Sequence, residues 1–247
     1  MLLYLRSALF MLWFVTMSVA LNVACLPLLA LPRKATVWAA NRWGWLVLLG
    51  LKHIAGVDVA VRGQVDTSKG VLIAGKHFSI WETIAVVALL QDPAVVLKRE
   101  LLWLPLYGWY CWKMQMIPVD RSARATAIRR MYAAAKRAVD AKRPVVIFPE
   151  GTRKKPGAAP DYKPGVAALY AQLGIPCTPM AHNSGVFWAG WFLRRPGTIV
   201  VEYLEPIPPG LPRREFMSVL EARLEQATER LVTQGQSQAS TLQNATA

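Results

Sequence analysis

The chain has 247 residues, a formal net charge of +14, 54% hydrophobic but only 18% charged residues, and a mean hydropathy of +0.27. That length holds one α/β domain with a full core and a small appendage. An apolar, basic chain with ten tryptophans suits an anionic membrane surface, where indole rings sit at headgroup level. It argues against nucleic-acid readers, which carry their aromatics on small polar domains.

From Ser7 to Leu31 there are 25 residues without a charge. As a helix they would run about 37 Å, against a hydrocarbon core of about 30 Å. Asn22 and Pro27 interrupt the end of this stretch, so a span and a shallow, bent insertion both stay open. A signal peptide is disfavoured, because its basic region would hold only Arg6 and no small-x-small site precedes polar sequence. Arg33, Lys34, Arg42 and Lys52 outnumber Arg6, which puts the downstream side in the cytoplasm, on the inner face of the plasma membrane. "VWAANRWGWLVLLGLKHIAGV" predicts a second, amphipathic helix with Trp38, Trp45, Leu49 and Lys52 at helical spacing and His53 as an interfacial residue. Residues 1–55 are expected to be an N-terminal hydrophobic two-helix membrane module, with a buried helix as the alternative for the second.

After Gly56 short β-rich runs alternate with helical ones. "GVLIAGKH", "AVVLKRE", "MIPVDR", "RPVVIFPE", "IPCTPMAHNS" and "GTIVVEYLEPI" predict strands; 79–90, 122–142, 165–173 and 213–231 predict helices. The alternation implies an α/β domain over residues 56–232, a mixed central β-sheet flanked by helices. The last stretch, 233–247, is polar and uncharged and reads as a disordered tail. The three cysteines, Cys25, Cys111 and Cys177, form no C-x-x-C. They argue against a disulfide framework or a zinc site.

In open sheets of this kind ligands gather at the carboxyl ends of strands, so those ends are where chemistry is sought. "KHFSIWE" ends the first such run. Ser79-x-x-Glu82 is a capping box, in which Glu82 reaches back to the Ser79 amide. On this stretch alone that local role, worth ~1 kcal/mol, is the favoured reading, and His77 is then a loop residue. The functional reading makes Glu82 the group that fixes one tautomer of His77 and supports its charged form. "VVIFPEGTRKK" runs from a buried strand into Glu150, Gly151, Thr152 and Arg153. Gly151 allows a sharp turn, and Arg153 can grip a phosphate through two parallel hydrogen bonds. Lys154 and Lys155 suit a solvated charge run, and Glu150 also suits a turn residue paired with Arg153. Lys98 and Arg99 follow another strand, where a frayed, solvated end is the alternative. The prolines of "IPCTPMAHNS" suggest an edge strand or rigid loop, and His182 and Asn183 suggest a turn. No G-x-S-x-G, G-x-G-x-x-G or H-E-x-x-H occurs, and His77 stands where a P-loop needs a hydroxyl.

Taken together these stretches resemble the glycerolipid acyltransferase family. Its H-x-x-x-x-D motif corresponds to His77 through Glu82, its basic stretch to "LKREL", its F-P-E-G-T-R to Phe148–Arg153 unchanged, and its apolar-Pro-apolar element to "IPCTPMA". The order and spacing agree over 71–184, and the match is most similar to the 1-acyl-glycerol-3-phosphate acyltransferase branch. In combination the four stretches outweigh the capping box as the sole role of Glu82. Glu82 replaces the usual Asp, so backbone or rotamer must absorb one extra methylene, and Lys76 replaces a common Asn, putting another positive charge beside His77.

The resemblance implies acyl transfer from a thioester, acyl-CoA or acyl-ACP as co-substrate, to the free hydroxyl of lysophosphatidic acid. His77 would act as general base oriented by Glu82. Arg153 would hold the acceptor phosphate with Lys98 and Arg99 assisting, and Glu150, Gly151 and Thr152 would shape the acceptor site. An apolar channel near the N-terminal helices would take the acyl chain. No metal or resident cofactor is expected. Two other readings stay open: a sister acyltransferase acting on a lyso-ornithine lipid or glycerol-3-phosphate, and a non-catalytic protein that binds anionic lipids.

Overall fold

The computed structural model describes residues 1–120 and 124–244. Helix α1 (Leu2–Ala24) and helix α2 (Arg33–Ala55) are joined by a 3-10 turn at Leu26–Ala30, where Pro27 could not have continued an α-helix. α2 faces two ways. Trp38, Trp45, Leu49 and Lys52 are exposed, as their helical spacing predicts, while Val47, Leu48, Leu51 and Ala55 are buried in the domain core. Residues 33–55 therefore complete that core, and 1–55 is not a detachable unit.

The sheet contains β1 (Val57–Arg62), β2 (Leu72–Gly75), β3 (Ala94–Lys98), β4 (Ile117–Val119), β5 (Val145–Ile147) and β6 (Cys177–His182). A small hairpin, β7 (Trp188–Ala189) and β8 (Leu193–Arg194), precedes β9 (Gly197–Tyr203), the seventh strand of the sheet. The order is β1-β9-β6-β2-β5-β3-β4. β6, β2, β5, β3 and β4 run parallel, whereas β9 is antiparallel to β6 and carries β1 in parallel on its far side. The carboxyl ends of five adjacent strands thus open along one edge. That edge gathers the loops after Gly75, Lys98, Ile147 and His182, which are far apart in sequence.

Strand alternation divides the core. Leu72, Ala74, Val145, Ile147 and Cys177 face helices α5 (Arg124–Asp140), α6 (Gly165–Leu173) and α8 (Arg213–Asn244), meeting Met131, Leu169, Phe216 and Leu220. Ile73, Val146 and Met180 face the other way, toward Leu48 and Leu51 of α2 and Trp81 and Ile84 of helix α3 (Trp81–Leu89).

Several expectations need correction. The strand in "IPCTPMAHNS" is central, between β9 and β2. Pro176 and Met180 accept hydrogen bonds from Leu72 and Lys76, so the Pro179 backbone faces β9; its carbonyl accepts from Leu204, where β9 has already ended. The N–H that Pro179 lacks would have faced Leu204, so the ladder forgoes one bond just past the end of β9 and none toward β2. The stretch 233–244, expected to be disordered, continues α8 to Asn244. Val232 is buried, the Gly235 backbone packs closely on Phe187 and Asn183, and the Gln238 side-chain oxygen accepts from Thr198 N at 3.0 Å. Residues 245–247 and the expected helix start at Ser122 lie outside the described residues. Strand β1 and helices α4 (Tyr107–Lys113) and α7 (Ser184–Phe187) were not anticipated.

Candidate active site

As β2 ends, the chain turns outward through His77 and re-enters α3 at Trp81. The Glu82 carboxylate, fully buried in the first turn of α3, organises that turn. Its Oε1 lies 2.7 Å from His77 Nδ1 and accepts from the backbone amides of Phe78 (2.6 Å) and Ser79 (2.7 Å). Its Oε2 accepts from the hydroxyls of Ser79 (2.8 Å) and Ser184 (3.1 Å). The capping contact and the histidine contact therefore coexist on one carboxylate, and the longer glutamate reaches both. Burial alone would raise the Glu82 pKa. The hydrogen bond from His77, the nearby rings of His182 and His77 and the Ser79 amide outweigh it and hold the carboxyl at about 2. An ionised carboxylate only accepts, so Nδ1 of His77 donates and Nε2 is left as the basic ring nitrogen.

The His77 ring stacks on Phe148, with centroids 4.6 Å apart. Two main-chain contacts tie the same turn to the loop after β5: Lys154 N donates to His77 O at 2.8 Å, and His77 N points at Glu150 Oε2 at 3.4 Å. Within that loop Gly151 has φ +63°, the left-handed conformation a side chain resists. These contacts bring His77, Glu150, Gly151, Thr152 and Arg153 into the wall of one cavity of about 810 Å³. Arg153 is exposed, and among the described residues no carboxylate pairs with it. Lys98 lines the same cavity and also sits 3.7 Å from Glu100. Arg99 does not line it; its guanidinium pairs with Asp120 at 2.8 Å and lies over Trp103.

Glu150 pairs with Lys76, not with Arg153. The Lys76 ammonium, 2% exposed, bridges Glu150 (2.8 Å) and Glu225 of α8 (2.6 Å), and Tyr162 donates to Glu225 at 2.7 Å. The extra positive charge expected beside His77 is thus committed to two carboxylates. His182 and Asn183 are not in an exposed turn. His182 is buried, its Nε2 donates to Lys76 O at 2.8 Å, and burial pushes its pKa below the ordinary value. Asn183 accepts from Val200 N at 2.8 Å. His53 is exposed in the last turn of α2. Ser184, Tyr162 and Glu225 are supporting residues of the site that the sequence motifs do not announce, and the motifs give no sign of the partners of Lys76. Glu225 lies 149 positions from Lys76, and no local pattern announces such a pair.

Away from its mouth the cavity is apolar, walled by Leu21 and Cys25 near the end of α1, Ala39 and Trp43 of α2, Ile84 and Val87 of α3, and Met131 of α5. Among the described residues no group of three or more His, Cys, Asp or Glu side chains is arranged to hold a metal ion.

Comparison with known proteins places the chain in a family. Residues 57–183, just over half of the chain, match the family model described as Acyltransferase. The chain is 34% identical over 167 residues to a 1-acyl-sn-glycerol-3-phosphate acyltransferase of Pseudomonas aeruginosa, covering 66% of this chain and 65% of that one. It is 31% identical over 170 residues to the Limnanthes douglasii protein of the same name, covering 68% and 60%. The chain thus spans 60–65% of the length of these curated relatives. The crystal structure of the 1-acyl-sn-glycerophosphate (LPA) acyltransferase PlsC from Thermotoga maritima has the same fold, with a TM-score of 0.74 over 92% of this chain and 98% of that one at 20% identity. A parallel-sheet edge that carries a carboxylate-held histidine beside F-P-E-G-T-R, within the span of the family model, leads to one conclusion: this chain belongs to the acyltransferase family.

Proposed function

We propose that the protein is a 1-acyl-sn-glycerol-3-phosphate acyltransferase, which moves an acyl group from acyl-CoA or acyl-ACP to the free hydroxyl of lysophosphatidic acid and yields phosphatidic acid. The observation that carries this reading is a single cavity lined by both His77, held through Nδ1 by Glu82, and Arg153. Nε2 of His77 takes the acceptor's hydroxyl proton as that oxygen bonds to the thioester carbonyl carbon. The tetrahedral adduct then expels the thiolate, which recovers the proton from the imidazolium. Glu82 stabilises the imidazolium between the two transfers, and general-base help of this kind contributes about 10²–10⁴-fold in rate. Arg153 receives the phosphate, with Lys98 on the same wall. Arg99, paired with Asp120 outside the cavity, takes no direct part. Glu150 acts through Lys76 and the His77 amide, shaping the turn that Gly151 and Thr152 complete.

The apolar part of the cavity suits an acyl chain, since each buried methylene contributes ~0.8 kcal/mol. α1 is long and apolar enough to cross a membrane by length and composition. It is, however, tied to the rest of the chain at three points, with Ser7 Oγ accepting from Arg194 N (3.0 Å), Ser18 Oγ from Trp43 Nε1 of α2 (2.9 Å) and Asn22 O from the Tyr110 hydroxyl (2.7 Å). These contacts favour a helix seated in one leaflet of the inner membrane, with the domain on the cytoplasmic face. The basic surface suits either acidic acyl carrier protein or the phosphates of coenzyme A.

The test is thiol release from the acyl thioester, measured with lysophosphatidic acid, with glycerol-3-phosphate, with a lyso-ornithine lipid and with no acceptor. Release should depend on lysophosphatidic acid and vanish in His77→Ala while the fold persists. Release with another acceptor alone would reassign the substrate. The absence of release with all of them, or near-normal release in His77→Ala, would overturn the reading.

A further inference from the structure

Between β3 and β4 the chain exposes Trp103 (67%), Leu104 (49%), Trp109 (51%) and Trp112 (74%) within ten residues. The fold commits this segment firmly. The inner side of α4 buries Tyr110, Cys111 and Met114, and Gly108 presses so closely on the Leu102 carbonyl that a Cβ would lie 2.0 Å from it. At the entry to α4, Leu106 takes φ +63° and ψ −67°, and Tyr107 N donates to Pro105 O at 2.7 Å. This is the strained form of the γ-turn, which persists only where its surroundings enforce it. Three indoles are thus held in water by a buried helix face and a strained leucine, an arrangement that marks an interaction surface.

Three observations identify what covers them. Tryptophan with flanking lysine or arginine is the composition of a headgroup layer; here Arg99 lies over Trp103 and Lys113 follows Trp112. The patch also continues the outer stripe of α1, which exposes Leu5, Leu9, Leu12, Val15, Val19 and Val23, because the Tyr110 hydroxyl fastens α4 to Asn22 near the end of α1. Finally, a crevice of about 370 Å³ separates Leu29 from Trp109 and Trp112, with Lys113 in its wall. Its apolar floor suits an acyl chain and its ammonium a lipid phosphate.

We propose that residues 103–113 are a second membrane-docking element, which sets its indoles among the headgroups of an anionic phospholipid bilayer beside α1. The inference rests on the reading that α1 itself meets the bilayer. Leu104 and Tyr107 also line the main cavity, so this docking puts the cavity wall against the lipid from which a substrate chain must come.

The test uses the full-length chain with Cys25→Ser, since Cys111 and Cys177 are buried. An environment-sensitive fluorophore is attached to a single new cysteine, in Trp112→Cys, Leu12→Cys or Arg223→Cys. The last is exposed on α8, on the far side of the sheet. The labelled proteins are bound to phosphatidylethanolamine/phosphatidylglycerol vesicles carrying a shallow nitroxide lipid. The expected result is a blue shift and loss of most emission at positions 112 and 12, with position 223 unchanged. Quenching at 12 with a water-like, unquenched probe at 112 overturns this proposal and leaves the role of α1 standing. Water-like emission at both sites overturns both. A blue shift at 112 without lipid quenching, together with a dimer in sizing runs that Trp103→Ser and Trp112→Ser abolish, assigns the patch to a second copy and likewise overturns it.

Discussion

Glu82 accepts hydrogen bonds from one imidazole, two amides and two hydroxyls while fully buried, and these donors keep it ionised where burial alone would neutralise it. Glu82→Gln preserves the shape, and both serine hydroxyls can rotate to accept from the new amide; what disappears is the charge opposite His77. We expect kcat to fall by about 10²–10⁴-fold with the circular-dichroism spectrum intact. The same substitution should alter acid stability in a defined direction. The carboxyl is lowered from 4.5 unfolded to about 2 folded, so its stabilising contribution is complete above the unfolded value and is lost as pH falls toward the folded one. Urea unfolding should show the gap between wild type and Glu82→Gln closing as the pH drops through that window. A constant gap would mean that the charge contributes nothing to folding. Arg153 poses a simpler question, since no carboxylate among the described residues competes for it. Arg153→Lys replaces a planar fork by a point charge, and the acceptor KM should rise about tenfold, the size of one charge-assisted hydrogen bond, with kcat little changed. Steady-state kinetics with varied lysophosphatidic acid check this, and an unaltered KM would remove Arg153 from the phosphate site.

Between elements, the bridge from Lys76 to Glu150 and Glu225 joins the end of β2, the loop after β5 and α8. Lys76 and Glu150 are 2% and 0% exposed, and removing one partner of such a pair strands the other, at a cost of about 3–5 kcal/mol. Lys76→Met should lose roughly that much in chemical denaturation. Adding Glu150→Gln should restore part of it, and Glu225→Gln alone, at a partly exposed partner, should cost far less. If the single and double variants unfolded alike, the pair would not be coupled. This scale also shows where the sequence was informative. β2, β3 and β5 are unbroken apolar runs ending at polar turns, so the runs before His77, Lys98 and Glu150 were readable, and parallel pairing then brought their ends together; β6, with Thr178 and Pro179 inside it, hid its central place. β1 was missed because it is half exposed and pairs with a strand about 140 residues away. α4 was missed because it is apolar on both its buried and its exposed side, which erases the periodicity that reveals an amphipathic helix. Low charge made the end of α8 look disordered, whereas small residues at Gly235 and Ala239 let it pack against α7 and the core.

Across the whole molecule, the cavity joins parts that the sequence presents as separate: a membrane-facing helix pair and a sheet domain. Its mouth carries His77 and Arg153, and its apolar walls reach Leu21 and Ala39. Deleting 1–55 would therefore strip Leu48 and Leu51 from the core as well as remove α1, the proposed bilayer contact, and a fall in activity could not be assigned to either. A point change inside the cavity separates them. Ala39 is buried on α2 and lines the apolar part; Ala39→Leu fills space there without touching the mouth. If acyl chains occupy that space, each methylene excluded forfeits ~0.8 kcal/mol, or about fourfold in kcat/KM. The chain-length profile should then shift toward shorter acyl groups, with rates on the shortest donors unchanged. A profile that falls uniformly at all lengths would instead indicate damage to packing between α1 and α2, and an unchanged profile would place the acyl chain elsewhere.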